Sequence, residues 1–224
     1  MVQLKDSIVE VAYDLFATKG YEKTTIADII KGAGASKGGF YHHFKSKEEI
    51  LEKIIFASIE SITAYYKEIL EDTESTVVEK FSESFYRLNE VKKTSIKDWD
   101  KIKKLYIFKG NHLLLKRMGE AFERETADFY EKLIHQGIEK GEFHVNYPKQ
   151  LGALWSREVI KFHQMSRYIF TGVKDNEDEF YDMLRFNEDL INSQLGIQGH
   201  KIHLLEMGDV YLQTMKKIVS ERRL

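Results

Sequence analysis

A chain of 224 residues with 42% hydrophobic and 12% aromatic side chains has enough apolar mass for a sizeable core, which excludes global disorder. Its formal net charge of −2 means that any contact with nucleic acid must come from a local basic patch and not from the chain as a whole. The absence of Cys excludes a disulfide framework, a thiol nucleophile and a Cys-ligated metal site, and it fits a cytoplasmic protein.

Residues 3–18 place Leu4, Ile8, Val11, Ala12, Leu15 and Phe16 at helical spacing, with Gly20 as a stop. The N-terminus carries Asp6 and Glu10 and is amphipathic, unlike a signal peptide. Thr25 to Asp28 reads as a capping box before Ile26, Ile29 and Ile30. That short helix ends at Gly32 and Gly34, where positive φ is allowed. Ser36 is an N-cap for a second short helix, SKGGFYHHF. Ser46-Lys47-Glu48-Glu49 is another capping box, opening a long helix that runs to about Glu71.

Thr73 to Thr76 is a polar break, followed by a helix carrying Val77, Phe81, Phe85 and Leu88. Val91 to Ser95 is a second break, and Ile96, Trp99, Ile102, Leu105 and Tyr106 follow at helical spacing. Gly110 to His112 predicts a kink or loop. The helix after it carries Leu114, Met118, Phe122, Phe129 and Leu133 and ends near Gly137 to Gly141. Pro148 starts the next helix, Gly172 to Asn176 breaks it, and a further helix carries Phe180, Leu184, Ile191 and Leu195. The last helix is expected over about Gly208 to Glu221. With a single Pro, no long apolar run and almost no strand-like alternation, the chain reads as all-α without a transmembrane span.

The stretch Thr24 to Lys47 concentrates the chemistry. Lys31, Lys37, Lys45 and Lys47 lie there, and no acid stands between Asp28 and Glu48. Lysines at that density neutralise phosphates and give salt-dependent affinity. Thr24, Thr25 and Ser36 lie at helix starts, where hydroxyls and free backbone N–H groups bind phosphate oxygens. Gly38 and Gly39 each weaken a helix by roughly 0.5–1 kcal/mol relative to Ala, but let its backbone approach bases closely. Phe40 and Phe44 share a face suited to core packing. Lys37, Tyr41 and Lys45 share another, with His42 and His43 adjacent and able to reach phosphates or base edges. A plain helical hairpin with solvated lysines would explain the charge or the turn alone; the combination of the two is more specific.

This pattern resembles the N-terminal DNA-binding domain of TetR-family transcriptional regulators. The resemblance rests on Leu15-Phe16-Ala17-Thr18-Lys19-Gly20-Tyr21, Thr24-Thr25-Ile26-Ala27-Asp28-Ile29, Ala33 through Phe44, and Lys45 through Leu51, and covers about residues 4–52. It implies a three-helix helix-turn-helix domain, residues 1–48, and a larger helical effector-binding and dimerisation domain, residues 49–224. It implies phosphate contacts from Tyr41 and Lys47, with Lys37, Gly39, His42 and His43 where family members vary their base contacts. The implied protein is a homodimeric repressor of a pseudo-palindromic double-stranded operator, released by a small-molecule effector. Two late helices, 148–171 and 177–195, would supply the dimer interface, with Trp155, Phe162, Tyr168 and Leu184 as anchors.

Other motifs carry less. The glycines of 32–39 mimic a phosphate loop, but Phe40-Tyr41 stand where Lys-Ser/Thr would follow, and the preceding segment is helical. His200, His203 and Glu206 could line one helix side, yet no second cluster completes a metal site, and surface polar groups explain them. Lys92, Lys93, Lys97, Lys101, Lys103 and Lys104 fit a solvated helix face. No catalytic constellation, metal or cofactor is expected. An enzyme with an accessory helix-turn-helix, or a protein-binding adaptor, stays as the alternative. Trp99, Tyr106, Phe108, His112, Trp155, Arg157, Phe162 and His163 are candidates for lining an effector cavity, against ordinary core packing.

Overall fold

The structure, a computed structural model, describes residues 4–85, 109–171, 177–197 and 201–221. Every regular element among them is helical: α1 (Leu4–Lys19), α2 (Ile26–Gly32), α3 (Lys37–His43), α4 (Lys47–Glu71) and α5, helical over the described residues 77–85. A 3₁₀ turn (Lys109–Asn111) then leads into α6 (His112–Glu139), followed by α7 (Pro148–Thr171), α8 (Glu177–Leu195) and α9 (Leu204–Glu221). The expected helix over 96–106, the breaks at 91–95 and 172–176, and the second lysine run lie outside the described residues.

The described residues fall into two compact units. One takes 4–61 and 109–122, and the other takes 62–85 and everything from 123 onward. The first unit therefore extends beyond residue 48, into α4, and draws in a segment distant in sequence.

In the first unit, Ile8, Ala12 and Phe16 of α1 meet Ile29 of α2, Phe40 of α3, and Ile50, Leu51 and Ile54 of α4, all buried. Leu114 and Ala121 of α6 join this core. The α2–α3 turn closes on Gly34 at φ +60°, a left-handed conformation that costs glycine nothing. Ala35 donates its N–H to the Ile30 carbonyl at 3.0 Å, the six-to-one bond of a Schellman-type stop.

The second unit is built on stacked rings. Tyr66 stacks on Phe129 with centroids 4.0 Å apart, and Phe81 packs against Tyr130, Phe143 and Trp155. Phe162 meets Phe85, Phe180 and Tyr211. Helices α8 and α9 run antiparallel, since Glu177 pairs with Lys216 and Tyr181 with Asp209, while Glu188 accepts the Leu205 N–H.

The last helix starts at Leu204, earlier than the expected Gly208, for a tertiary reason. The Asn192 side chain donates to the Ile202 carbonyl and accepts the Ile202 N–H, both at 2.9 Å, and Glu188 caps the first turn. Gly208 is then interior to α9, where a Cβ would lie 2.3 Å from Leu184 Cδ1. The expected interface anchors Trp155, Phe162 and Leu184 are at most 2% exposed within the single chain, so they are core residues. The side chain of Tyr168 lies outside the described set.

Candidate nucleic-acid interface

Three local devices fix the hairpin that carries the candidate residues. Thr25 caps α2 in a complete box. Its hydroxyl accepts the Asp28 N–H at 3.1 Å and donates to Asp28 Oδ2 at 2.7 Å, and the same carboxylate accepts the Thr25 N–H at 2.9 Å. Lys19 also donates to Asp28 at 2.5 Å, and this bond together with the Thr25 bonds holds the carboxyl well below its usual range. Ser36 caps α3 by accepting the Gly39 N–H at 3.0 Å. Ser46 caps α4 through the Glu49 N–H, while Glu49 reaches back one residue further than a capping box requires, to the Lys45 N–H at 2.7 Å.

Helix α3 has the two faces its spacing predicts. Phe40 and Phe44 are buried in the first unit's core, whereas Lys37, Gly38, Tyr41, His42 and Lys45 are exposed and His43 is half-buried. Tyr41 is 47% exposed, large for an aromatic, and its ring meets Phe40 edge to face at 5.3 Å. The His42 and His43 rings meet edge to face at 5.0 Å.

The two glycines of α3 differ. A Cβ on Gly38 would meet nothing within 4 Å among the described residues, so no packing with them accounts for glycine there. A Cβ on Gly39 would sit 3.1 Å from the Ser36 hydroxyl and 3.3 Å from Leu4 Cδ2, a tight fit against the cap itself. An open glycine on an exposed helix face leaves room for a partner's surface at close range.

Two residues expected to touch DNA are engaged internally. Thr24 is 1% exposed, and its hydroxyl donates to the Gly20 carbonyl at 2.7 Å. Lys47 Nζ donates to the carbonyls of Tyr21 at 2.7 Å, Thr24 at 3.0 Å and Glu22 at 3.5 Å. It also lies 4.3 Å from the centroid of the Tyr21 ring. Thr25 spends its hydroxyl on the capping box, while Ser36 retains an O–H with no acceptor among the described residues.

Sequence reasoning missed the supports of this arrangement. Tyr21 is 3% exposed and donates its hydroxyl to Glu48 at 3.1 Å, and burial first, then that carboxylate, pushes its pKa up to about 12. The buried Asn111 Oδ1 accepts the Tyr21 N–H at 3.0 Å, a pairing across ninety residues that no local pattern announces. Glu48 itself is held below its usual pKa, mainly by its own backbone N–H.

The candidate effector residues scatter. Trp99, Tyr106 and Phe108 lie outside the described residues, as does the side chain of His163. His112 is exposed at the start of α6 in the first unit, and Arg157 is exposed on α7. Of the described candidates, Trp155 and Phe162 enter the second unit's aromatic core. Polar groups unexpected from sequence accompany them: Tyr130 with Ser84 at 3.1 Å, Tyr66 with Thr126 at 3.0 Å, and Lys80 donating to Gln136 at 3.1 Å. The signal available was a polar residue inside an apolar helical stripe, as Lys80 and Ser84 stand among Val77, Phe81 and Phe85. Among the described residues no group of three His, Asp or Glu could hold a metal ion, and no helix is long and apolar enough to cross a membrane.

Known proteins are similar to this chain. Residues 8–54 match the family described as bacterial regulatory proteins, tetR family. An HTH-type transcriptional repressor, KstR2 of Mycolicibacterium smegmatis, is 36% identical over 81 residues, which span 36% of this chain and 39% of that protein. The HTH-type transcriptional regulator QacR of Staphylococcus aureus is 28% identical over 148 residues, covering 65% of this chain and 76% of its own. Among solved structures, a putative TetR-family transcriptional regulator from Syntrophomonas wolfei superposes with a TM-score of 0.61 at 22% identity, over 97% of this chain and 95% of that one. This last likeness concerns the fold.

Proposed function

Since this chain belongs to the TetR family of bacterial regulatory proteins, we propose that it is a DNA-binding transcriptional repressor acting as a homodimer in the cytoplasm. The observation that carries the reading is the split of α3: Phe40 and Phe44 are locked in the core while Lys37, Tyr41, His42 and Lys45 face outward beside an open Gly38. Lys31, Lys37 and Lys45 neutralise phosphates, and Tyr41 and the Ser36 hydroxyl add neutral phosphate contacts. Lys37, His42 and His43 read base edges, the half-buried His43 least directly.

Two copies bring two α3 helices to successive major grooves about 34–36 Å apart. The α8–α9 pair is the proposed dimer surface, replacing the α7–α8 pair expected from sequence. This placement is supported by Phe186 and Val210, exposed by 62% and 50% on those two helices.

An effector is proposed for the second unit. Support comes from Trp155, whose buried Nε1–H meets no acceptor in hydrogen-bond geometry among the described residues, although the Tyr130 hydroxyl is near enough to be influenced by it. An unmet buried donor costs roughly 1–3 kcal/mol, which a ligand carbonyl or hydroxyl would recover. The effector shifts the protein between states only by its differential affinity for them.

Hydroxyl-radical footprinting on the DNA upstream of the protein's own coding sequence tests the DNA reading. Two protected half-sites one helical turn apart are expected, and uniform cleavage would refute it. Native mass spectrometry after incubation with metabolite pools tests the effector, a retained small molecule being the expected result. The enzyme and adaptor alternatives gain no support from the similar proteins described above, each of which is named a regulator.

A further inference from the structure

A helix about 10–12 Å across fills a major groove about 12 Å wide, so a phosphate strand runs along each of its edges. The two edges of α3 are unequal. Successive side chains stand about 100° apart round a helix. Gly38 and His42 therefore project opposite the buried Phe40, Lys37 and Tyr41 line one edge, and Gly39 and His43 line the other. The first edge carries an ammonium and a phenol. The second carries a glycine and a half-buried imidazole.

The start of α1 lies along that second edge. A Cβ on Gly39 would sit 3.3 Å from Leu4 Cδ2, so the first residue of α1 is seated against the Gly39 side of α3. The next residue, Lys5, is exposed, and its Nζ lies 5.9 Å from the centroid of the ring of Phe44, the C-cap of α3. That distance is the outer limit of a cation–π contact. Among the described residues Lys5 has no ion pair and no hydrogen bond from its ammonium. Lys19, at the other end of α1, is by contrast tied to Asp28 at 2.5 Å. Lys5 is thus a loosely held cation beside the edge of α3 that has no lysine of its own, and it turns to a phosphate without breaking a stronger bond.

We propose that Lys5 is a DNA-binding residue: its ammonium contacts a phosphate of the strand that runs along the Gly39–His43 edge of α3, opposite the strand that Lys37 meets. The proposal rests on the reading of the chain as a DNA-binding regulator. It adds to that surface a residue from outside the Thr24–Lys47 stretch.

Salt dependence tests the contact. The full chain and its Lys5→Met, Lys5→Arg, Lys31→Met and Lys53→Met variants are titrated by fluorescence anisotropy against the upstream DNA between 50 and 200 mM salt. Lys53 is the matched control, an exposed lysine 5.3 Å from the centroid of the Phe56 ring on its own helix, α4. A phosphate ligand lost from both subunits makes the slope of log K against log salt shallower by about 1.8. Lys5→Met is expected to show that change, its deficit against wild type growing about twelvefold as salt falls from 200 to 50 mM. Lys5→Arg keeps the charge and is expected to keep the wild-type slope to within about 0.5, as is Lys53→Met.

A Lys5→Met slope within about 0.5 of wild type overturns the proposal, even if its affinity falls at every salt, because a ring contact alone would then explain Lys5. A Lys53→Met slope shallower by about 1.8 overturns it too, since any exposed lysine would then behave alike. Should Lys5→Met lose its helical far-UV signal, Lys5→Gln takes its place under the same criteria. Lys31→Met separates the two levels: if its slope falls and that of Lys5→Met does not, the regulator reading stands and the proposal alone fails. A wild-type chain that fails to bind at either end of the salt range overturns the regulator reading, and the proposal falls with it.

Discussion

Replacing Gly38 by Ala should make the protein more stable and a poorer DNA binder. The new methyl would enter open space, with no heavy atom within 4 Å, so it has nothing to strain. Removing a glycine from a helix gains about 0.5–1 kcal/mol, which for a protein of this size raises Tm by roughly 1–4 °C. On the proposed reading the same methyl stands where the backbone of α3 approaches DNA, and the expected loss of about tenfold corresponds to about 1.4 kcal/mol. Gly39→Ala is the internal comparison. Its Cβ would crowd the Ser36 hydroxyl at 3.1 Å, disturbing a cap worth about 1 kcal/mol, so its Tm should stay level or fall. Circular dichroism melts and fluorescence anisotropy on the upstream DNA read both quantities. A Gly38→Ala protein that binds as tightly as wild type would show that this face of α3 does not approach DNA. A lowered Tm would refute the packing argument.

Tyr41→Ala should weaken binding about equally across DNA sequences with little change in Tm, because an exposed side chain is lost from no core; unchanged affinity at moderate salt would count against phosphate contact. His42→Ala should redistribute sequence preference in a selection from random DNA while leaving the salt slope alone, and the opposite pattern would reassign His42 to the backbone. Phe186→Glu should convert the proposed dimer to monomer in sedimentation velocity at micromolar concentration without loss of helicity. A persistent dimer would move the interface away from α8 and α9.

The fold of the first unit was legible because each of its boundaries carries a local chemical marker. Thr25, Ser36 and Ser46 cap the helices that follow them, and Gly34 ends α2 in the conformation that glycine favours. Phe40 and Phe44 at i and i+4 gave the buried face of α3, and therefore the exposed one. What stayed hidden depends on partners far along the chain. Nothing near Lys47 announces that its ammonium meets the carbonyls of Tyr21, Glu22 and Thr24, and nothing near Tyr21 points to Asn111. Thr24 looked like a helix-start hydroxyl, but one turn of backbone brings the Gly20 carbonyl to it and burial does the rest. In the second unit, aromatic residues that suit a cavity equally suit a core, and Phe162 packs on three rings. The burial of the Trp155 Nε1–H beside the Tyr130 hydroxyl is set by tertiary packing, which spacing cannot express. The start of α9 was missed for the same reason, since α8 side chains set it.

The central claim is that α3 and its neighbouring lysines form an operator-binding surface presented in duplicate. Its most direct test is the affinity for the upstream DNA at 50 and 200 mM salt, beside an unrelated duplex of equal length. Three exposed lysines per subunit, Lys31, Lys37 and Lys45, make six in a dimer. Six phosphate contacts give a slope of about −5 before any share from Lys5, a loss of at least about a thousandfold over that fourfold rise in salt. The account predicts that loss, together with a clear preference for the upstream DNA at both concentrations. Equal binding to the two duplexes, or an affinity indifferent to salt, would contradict it.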